Sequence, residues 1–277
     1  MGRDPSLETF AREVSRADGE IDLARTALLI ARREYPALDL DAYLDRLAAL
    51  ARGAGPAARI PDPLARLHRL REHLFEEQGF AGNADDYYDP RNSYLNDVLD
   101  RRRGIPITLS LVLIAVGAHL GLQLEGIGLP GHFIAGARVG GDHLLLDPFN
   151  GGAILTGEAC SDLVARAIGR RVDLTAEHFA PVTNRQFLKR LLANLKGAYW
   201  RRQDWQRVVR IIDLLLLLTP SDGSEWRDRG VAWHGLGDVA RGLADWERYL
   251  TEFPNAADHE QVKREFRRVR QKLAQLN

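Results

Sequence analysis

The chain has 277 residues, 45% hydrophobic and 27% charged, which supplies enough apolar material for one large core or two or three small ones. Lys plus Arg and Asp plus Glu both number 38, so no net field steers the molecule toward nucleic acid or an anionic membrane, and neither partner is expected. The one cysteine, Cys160, has no internal disulfide partner, and the polar start MGRDPSLETF lacks the apolar segment of a secretory signal, so a cytoplasmic location is the expectation.

Residues 1–88 read as a helical region. Ile21, Leu23, Ala24, Ala27, Leu28 and Ala31 recur at helical spacing until Pro36 interrupts, and Tyr43, Leu44, Leu47 and Leu50 mark a second helix. After the turn signals Gly53-Ala54-Gly55-Pro56 and Pro61-Asp62-Pro63, a third stripe runs through Leu64, Leu67, His68, Leu70, Leu74 and Phe75. His68 and His73 stand five apart, which does not put them on one helical face as a metal pair requires.

The segment 89–180 carries the motifs. Asp89-Pro90-Arg91-Asn92-Ser93 suits a turn in which Asn92 or Ser93 caps a helix through Leu95, Val98 and Leu99, with Gly104 as its stop. The uncharged run from Gly104 to Gln123 is long enough to cross a bilayer, yet Pro106, Thr108, Ser110, Gly117 and His119 dilute it, and a buried core helix starting at Pro106 is the better reading. Beyond Gly121 the pattern shifts to strands, 122–129, 132–139 and 143–147, with Gly140-Gly141 as a two-residue hairpin signal pairing Val139 with Asp142. Counting back from that turn sets Ile134 opposite Asp147, and His132 falls on the same face as Asp147. The other face carries Phe133, Ala135, Ala137, Val139, Leu144 and Leu146, which the Pro106 helix is placed to cover.

From 181 to 277 a 34-residue period appears, relating Tyr199 to Trp233, Asp204 to Asp238 and Pro220 to Pro254. Thirty-four is the length of the tetratricopeptide repeat, and Trp226, Gly230, Trp233, Trp246 and Pro254 match its signature offsets, with Arg229 in place of the usual leucine and Gly242 in place of the usual alanine. A last segment from Ala257 is long enough for one capping helix. Repeats of this type commonly hold a protein or peptide, and Tyr199, Trp226 and Trp233 are the candidate contact residues.

At YYDPRNSYLNDVLDRRRGIPITLSLVL, GIGLPGHF and LLLDPFNGG the sequence resembles the bacterial SirB-type family, transglutaminase-like proteins with C-terminal tetratricopeptide repeats, over roughly residues 6 to 277. The resemblance implies an α+β architecture: a helical N-terminal region, a papain-like core with a central helix on a small antiparallel sheet, and a helical repeat tail. It implies a thiol at the start of the central helix, with histidine and aspartate on adjacent strands. His132 and Asp147 stand in those two places. Near Gly104 to Ser110, where active relatives carry cysteine, this chain has none.

Thr108 or Ser110 offers a hydroxyl near that place, which keeps open an acyl-transfer or amide-hydrolysis enzyme with His132 as base and Asp147 as its orienter. Helix-start hydroxyls are ordinary caps, however, and Cys160 lies in a separate helical segment, Gly157 to Ile168. The preferred reading is a non-catalytic regulatory or adaptor protein that contacts an unknown protein or peptide through its repeats. No metal is expected, because His143 lacks a cysteine pair or His-x3-His partner, and no cofactor, because GIGLPG and GGAILTG lack nucleotide-binding spacing.

Overall fold

A computed structural model describes residues 5–55 and 59–276, so Met1 to Asp4 of the polar start and Pro56 of the expected connection lie outside the described residues. The chain is α+β and divides into two compact units, residues 1–191 and 192–277.

In the first unit, α1 (Pro5–Val14) precedes α2 (Leu23–Arg32) and α3 (Leu40–Gly53). Asp22 and Asp39 cap α2 and α3 by accepting from the amides of Arg25 and Ala42, satisfying donors that the first helical turn leaves orphaned. The expected stripes are the buried faces, with Ala24, Ala27, Leu28 and Ala31 on α2 and Leu47 on α3. α4 (Pro63–Arg71), capped by Asp62, buries Leu67 and Leu70 and runs into one π-helical turn, Glu72–Glu77. There the Gln78 amide reaches five residues back to the His73 carbonyl at 2.8 Å.

The start of α5 (Leu95–Arg101) differs from the sequence reading: neither Asn92 nor Ser93 caps it, and Tyr94 holds that position without a side-chain bond. Asp89 instead caps a 3₁₀ turn at Pro90–Asn92, and the Asn92 amide is turned back to donate to the Asp86 carbonyl at 2.7 Å. The helix also stops before Gly104, because Arg102 adopts a left-handed conformation with φ 56°. The residues after it form a short parallel pair, β1 (Ala81–Gly82) with β2 (Arg103–Gly104), which no hydrophobic pattern announces.

α6 (Pro106–His119) begins at its proline as the sequence predicts, and Ile107, Leu109, Leu111, Val112, Leu113 and Val116 are all buried. Among the described residues no helix is long and apolar enough to cross a membrane. One four-stranded antiparallel sheet follows, β3 (Gln123–Ile127), β4 (Ile134–Val139), β5 (Asp142–Asp147) and β6 (Ala153–Leu155), in chain order. Val139 pairs with Asp142 and Ala135 with Leu146, the register that the glycine pair dictates. The helix α6 touches β3 and β4, and on the sheet the apolar positions Phe133, Ala135, Ala137, Val139 and Leu146 are buried. α7 (Gly157–Ile168), capped by Thr156, packs Cys160 and Val164 against Ile127, Leu129 and Ile134.

The division between units falls within α8 (Asn184–Arg201). The second unit continues with α9 (Trp205–Leu218), α10 (Gly223–Gly235), α11 (Val239–Glu252) and α12 (His259–Leu276). The 34-residue period has a physical basis in repeated contacts. Asp204 and Asp238 each cap a helix at 3.1 Å, and Arg207 and Arg241 each lie over an aromatic ring, Tyr199 at 5.7 Å and Trp233 at 4.7 Å. A Cβ on Gly230 would stand 2.3 Å from the Trp246 indole, so the signature glycine is what lets α10 and α11 approach. Arg229, the departure from the repeat pattern, donates to Asp245 at 2.7 and 2.8 Å and to Asp213 at 2.8 Å, and stacks on Trp226 at 4.6 Å.

Replacing Arg229 by the usual leucine leaves the 7% exposed Asp245 without its counter-charge. Arg229→Leu is therefore expected to lower stability by about 3 kcal/mol in urea unfolding. Gln203 sits at φ 54°, at the repeat position where the second unit has Gly237 at φ 79°. A Cβ is strained there, and Gln203→Gly is expected to raise stability by about 1 kcal/mol in the same measurement.

Candidate functional site

The site is assembled at the far end of the β4–β5 hairpin from its turn. Asp147 closes β5 and also caps the 3₁₀ turn Pro148–Asn150, so its carboxylate accepts from the Phe149 amide at 3.1 Å and from the Asn150 side-chain amide at 2.6 Å. The third donor is His132 Nε2, 3.1 Å from Asp147 Oδ1. An ionised carboxylate only accepts, so Nε2 carries the proton and Nδ1 is the basic nitrogen of the neutral ring. Asp147 is fully buried and burial alone raises a carboxyl pKa, but the His132 contact and the two amide donors outweigh it and hold the group below the usual aspartate range.

Two neighbours that the sequence did not single out fix the histidine. Phe149 meets its ring edge-on at 6.2 Å, and the Arg190 guanidinium of α8 donates to the carbonyls of Leu129 and His132 at 2.8 and 2.5 Å while lying over Phe133. Asn150 was legible in retrospect, three residues past Asp147 in LLLDPFN. Arg190 was not, because 58 residues separate it from His132 and nothing in its own helix marks it.

The candidate nucleophiles stand elsewhere in the hydrogen-bond pattern. Thr108 donates to the Asn92 carbonyl at 2.7 Å and accepts from the Ile105 amide at 3.1 Å, joining the DPRN turn to the start of α6. Gly104 is required beside it, since a Cβ there would lie 2.7 Å from the Thr108 hydroxyl. Ser110 is fully buried and its hydroxyl has no hydrogen-bond partner among the described residues. Neither hydroxyl bonds to His132. Cys160 is buried among apolar side chains, and burial together with the negative charge of Asp147 pushes its thiol up to about 11, so it is protonated at neutral pH.

His143 Nε2 lies 3.0 Å from the Glu125 carboxylate, which accepts from it, and among the described residues no group of three His, Cys, Asp or Glu is arranged to hold a metal ion. In the repeats, Tyr199 is buried beneath Arg207, Trp226 lies between Arg229 and Arg248 at 4.6 and 3.8 Å, and Trp233 lies beneath Arg241. These ring contacts are with arginines of the repeats themselves.

Residues 39–193, more than half of the chain, match the transglutaminase-like superfamily, and residues 195–267 match the tetratricopeptide repeat. The chain belongs to the transglutaminase-like superfamily. It is 37% identical over 254 residues to a UPF0162 protein of Xylella fastidiosa, covering 89% of each chain, and 32% identical over 195 residues to a UPF0162 protein of Vibrio cholerae, covering 70% of this chain and 72% of that one. It is also 31% identical over 158 residues to human F-box only protein 21, covering 53% of this chain and 24% of that one. In this core the bond from His132 to the buried Asp147 fixes the orientation of the imidazole.

The depressed Asp147 pKa makes the pair a source of pH-dependent stability. A carboxylate whose folded pKa lies below its unfolded value stabilises the protein above the unfolded pKa and loses that contribution as pH falls through the folded one. Asp147→Asn is expected to cost about 2 kcal/mol at pH 7. In urea titrations the gap to wild type should hold constant down to about pH 5 and shrink below about pH 4.

Proposed function

We propose that this protein is a SirB-type regulatory or adaptor protein that has kept the transglutaminase-like core without its chemistry and acts by binding another protein through its repeats. On this reading residues 1–88 brace the core, 89–180 form it, and 181–277 make the partner contact. The observation that carries the proposal is the missing nucleophile. No cysteine occupies the start of α6, Thr108 is committed to the helix cap, Ser110 makes no bond to His132, and Cys160 is a buried thiol. His132 and Asp147 then serve to fasten the sheet to the turn that follows it, as a buried hydrogen-bonded pair does in any hairpin.

The partner claim is supported by the repeat unit, whose family commonly provides protein-binding grooves. Between α11 and α12 lies an open groove of about 790 Å³ whose lining includes Leu250 and Phe266, the cations Lys263, Arg267 and Arg270, and one carboxylate, Glu247. That combination suits a peptide bearing both apolar and acidic side chains.

The purified protein is expected to release no ammonia from glutamine peptides and to hydrolyse no acyl ester above the buffer rate, in coupled assays over hours. Turnover that disappears in His132→Ala would overturn the proposal in favour of a hydroxyl-dependent hydrolase. In cells, crosslinking to a partner should fall at least tenfold when Arg267 and Arg270 are both replaced by glutamate, and should be unchanged by His132→Ala.

A further inference from the structure

The repeats contain their own pattern for what fits the groove between α11 and α12. One period earlier, beside α9 and α10, the corresponding place is taken by α11, which packs along α10. The guanidinium of Arg229 on α10 is bonded there to Asp213 of α9 and to Asp245 of α11. One 34-residue period on, Lys263 stands where Arg229 does and Glu247 where Asp213 does, and both line the open groove. The position of Asp245 is the one that no helix fills among the described residues.

The backbone gives the reason. The chain reverses after α8 and after α10 through left-handed residues, Gln203 at φ 54° and Gly237 at φ 79°, and the same repeat position in the third unit is Gln271. There α12 makes no turn and continues as one helix to Leu276. The face that α11 covers on α10 is therefore open on α12. Leu250 and Phe266 lie half-buried in it, packed against the cluster of Trp246, Tyr249, Val262 and Val269. Among the described residues Arg267 and Arg270 have no hydrogen bond or ion pair, and the Arg270 guanidinium lies over the Phe266 ring at 6.0 Å. Lys263 donates to Glu260 of its own helix at 3.2 Å, an exposed pair of the kind that contributes little and gives way easily.

A charged outer face also keeps a capping helix in solution, but solvation alone gives no reason for Leu250 and Phe266 in the same groove. Arg264 narrows the choice of occupant. It stands where Gly230 lets the Trp246 indole approach α10, so an incoming helix needs a small side chain at that point instead of an indole. Resting on the adaptor reading above, we propose that the partner enters this groove as an acidic amphipathic helix and completes the repeat. It lies antiparallel to α12, as the short connection makes α11 lie to α10. One of its carboxylates pairs with Lys263 in the manner of Asp245 with Arg229, others face Arg267 and Arg270, and its apolar side rests on Leu250 and Phe266.

The probe is a fluorescein-labelled, hydrocarbon-stapled peptide of residues 239–252, the helix that fills this place one period earlier, with Trp246→Ala to clear Arg264 and with Arg241→Glu and Arg248→Glu. Fluorescence anisotropy with the full chain at low ionic strength is expected to show saturable one-to-one binding. Lys263→Glu in the protein, or Asp245→Lys in the peptide, is expected to weaken it about tenfold, and the two changes together to restore it. Absence of saturation, affinity unmoved by Lys263→Glu, or a paired exchange that restores nothing would each overturn the assignment. So would a free chain that is dimeric by light scattering and made monomeric by Lys263→Glu, which gives the groove to a second copy. Cellular crosslinking separates this from the adaptor reading. If crosslinking is lost on replacing Arg267 and Arg270 while the probe fails, the helix assignment falls and the adaptor reading stands. If the probe and its paired exchange behave as expected but no partner crosslinks, the adaptor reading falls and the groove assignment stands.

Discussion

A helix with no polar face has to be covered on every side, and α6 sets that constraint for the first unit. Six of its side chains are large, apolar and buried, and each transfers about 2 kcal/mol out of water when covered. The strands β3 and β4 lie against it, and α2, α3, α4 and α5 also touch it. The N-terminal helices and the sheet are therefore parts of one core, although their sequences look like separate segments. The start of α6 is pinned as firmly as its flanks, by Thr108 bonding to the Asn92 carbonyl of the DPRN turn and by the bare Cα of Gly104 beside that hydroxyl.

This pinning bears on function. The helix start is where the superfamily resemblance places a reactive side chain, and here it is occupied by a capping network, with a proline at the first helical position and further on a buried serine whose hydroxyl has no partner among the described residues. The His132–Asp147 pair is held from three places: the strand end, the turn after it, and α8 through Arg190. An imidazole so held is well oriented, and among the described residues its side-chain hydrogen-bond partner is Asp147 rather than a hydroxyl or thiol.

The second unit follows another logic, that of a repeat whose contacts recur because its residues do. Caps at Asp204 and Asp238 and arginines over Tyr199 and Trp233 are the same contacts one period apart. Where the chain leaves the repeat pattern, the structure supplies the reason: Arg229 is not a failed leucine but the cation shared by Asp213 and Asp245 on the helices either side of it.

Much of this was legible in the residues themselves, wherever a short-range rule operates. Helical stripes, the Gly140-Gly141 turn and the 34-residue period depend on neighbours within a turn, a hairpin or a repeat, so the sequence alone determined the longer elements, the β4–β5 register and hence the pairing of His132 with Asp147. The three-residue β6 and the two-residue β1 and β2 were hidden because such short strands carry no periodicity. The capping expectation for Asn92 failed because a side chain with several possible partners goes to those that tertiary folding brings nearest. Arg190 behind His132, the apolar burial of Cys160 and the bonding of Asn92 to Asp86 and Thr108 were decided only in three dimensions. Each joins residues far apart in the chain, and no local spacing encodes which distant groups a folded core will bring within hydrogen-bonding reach.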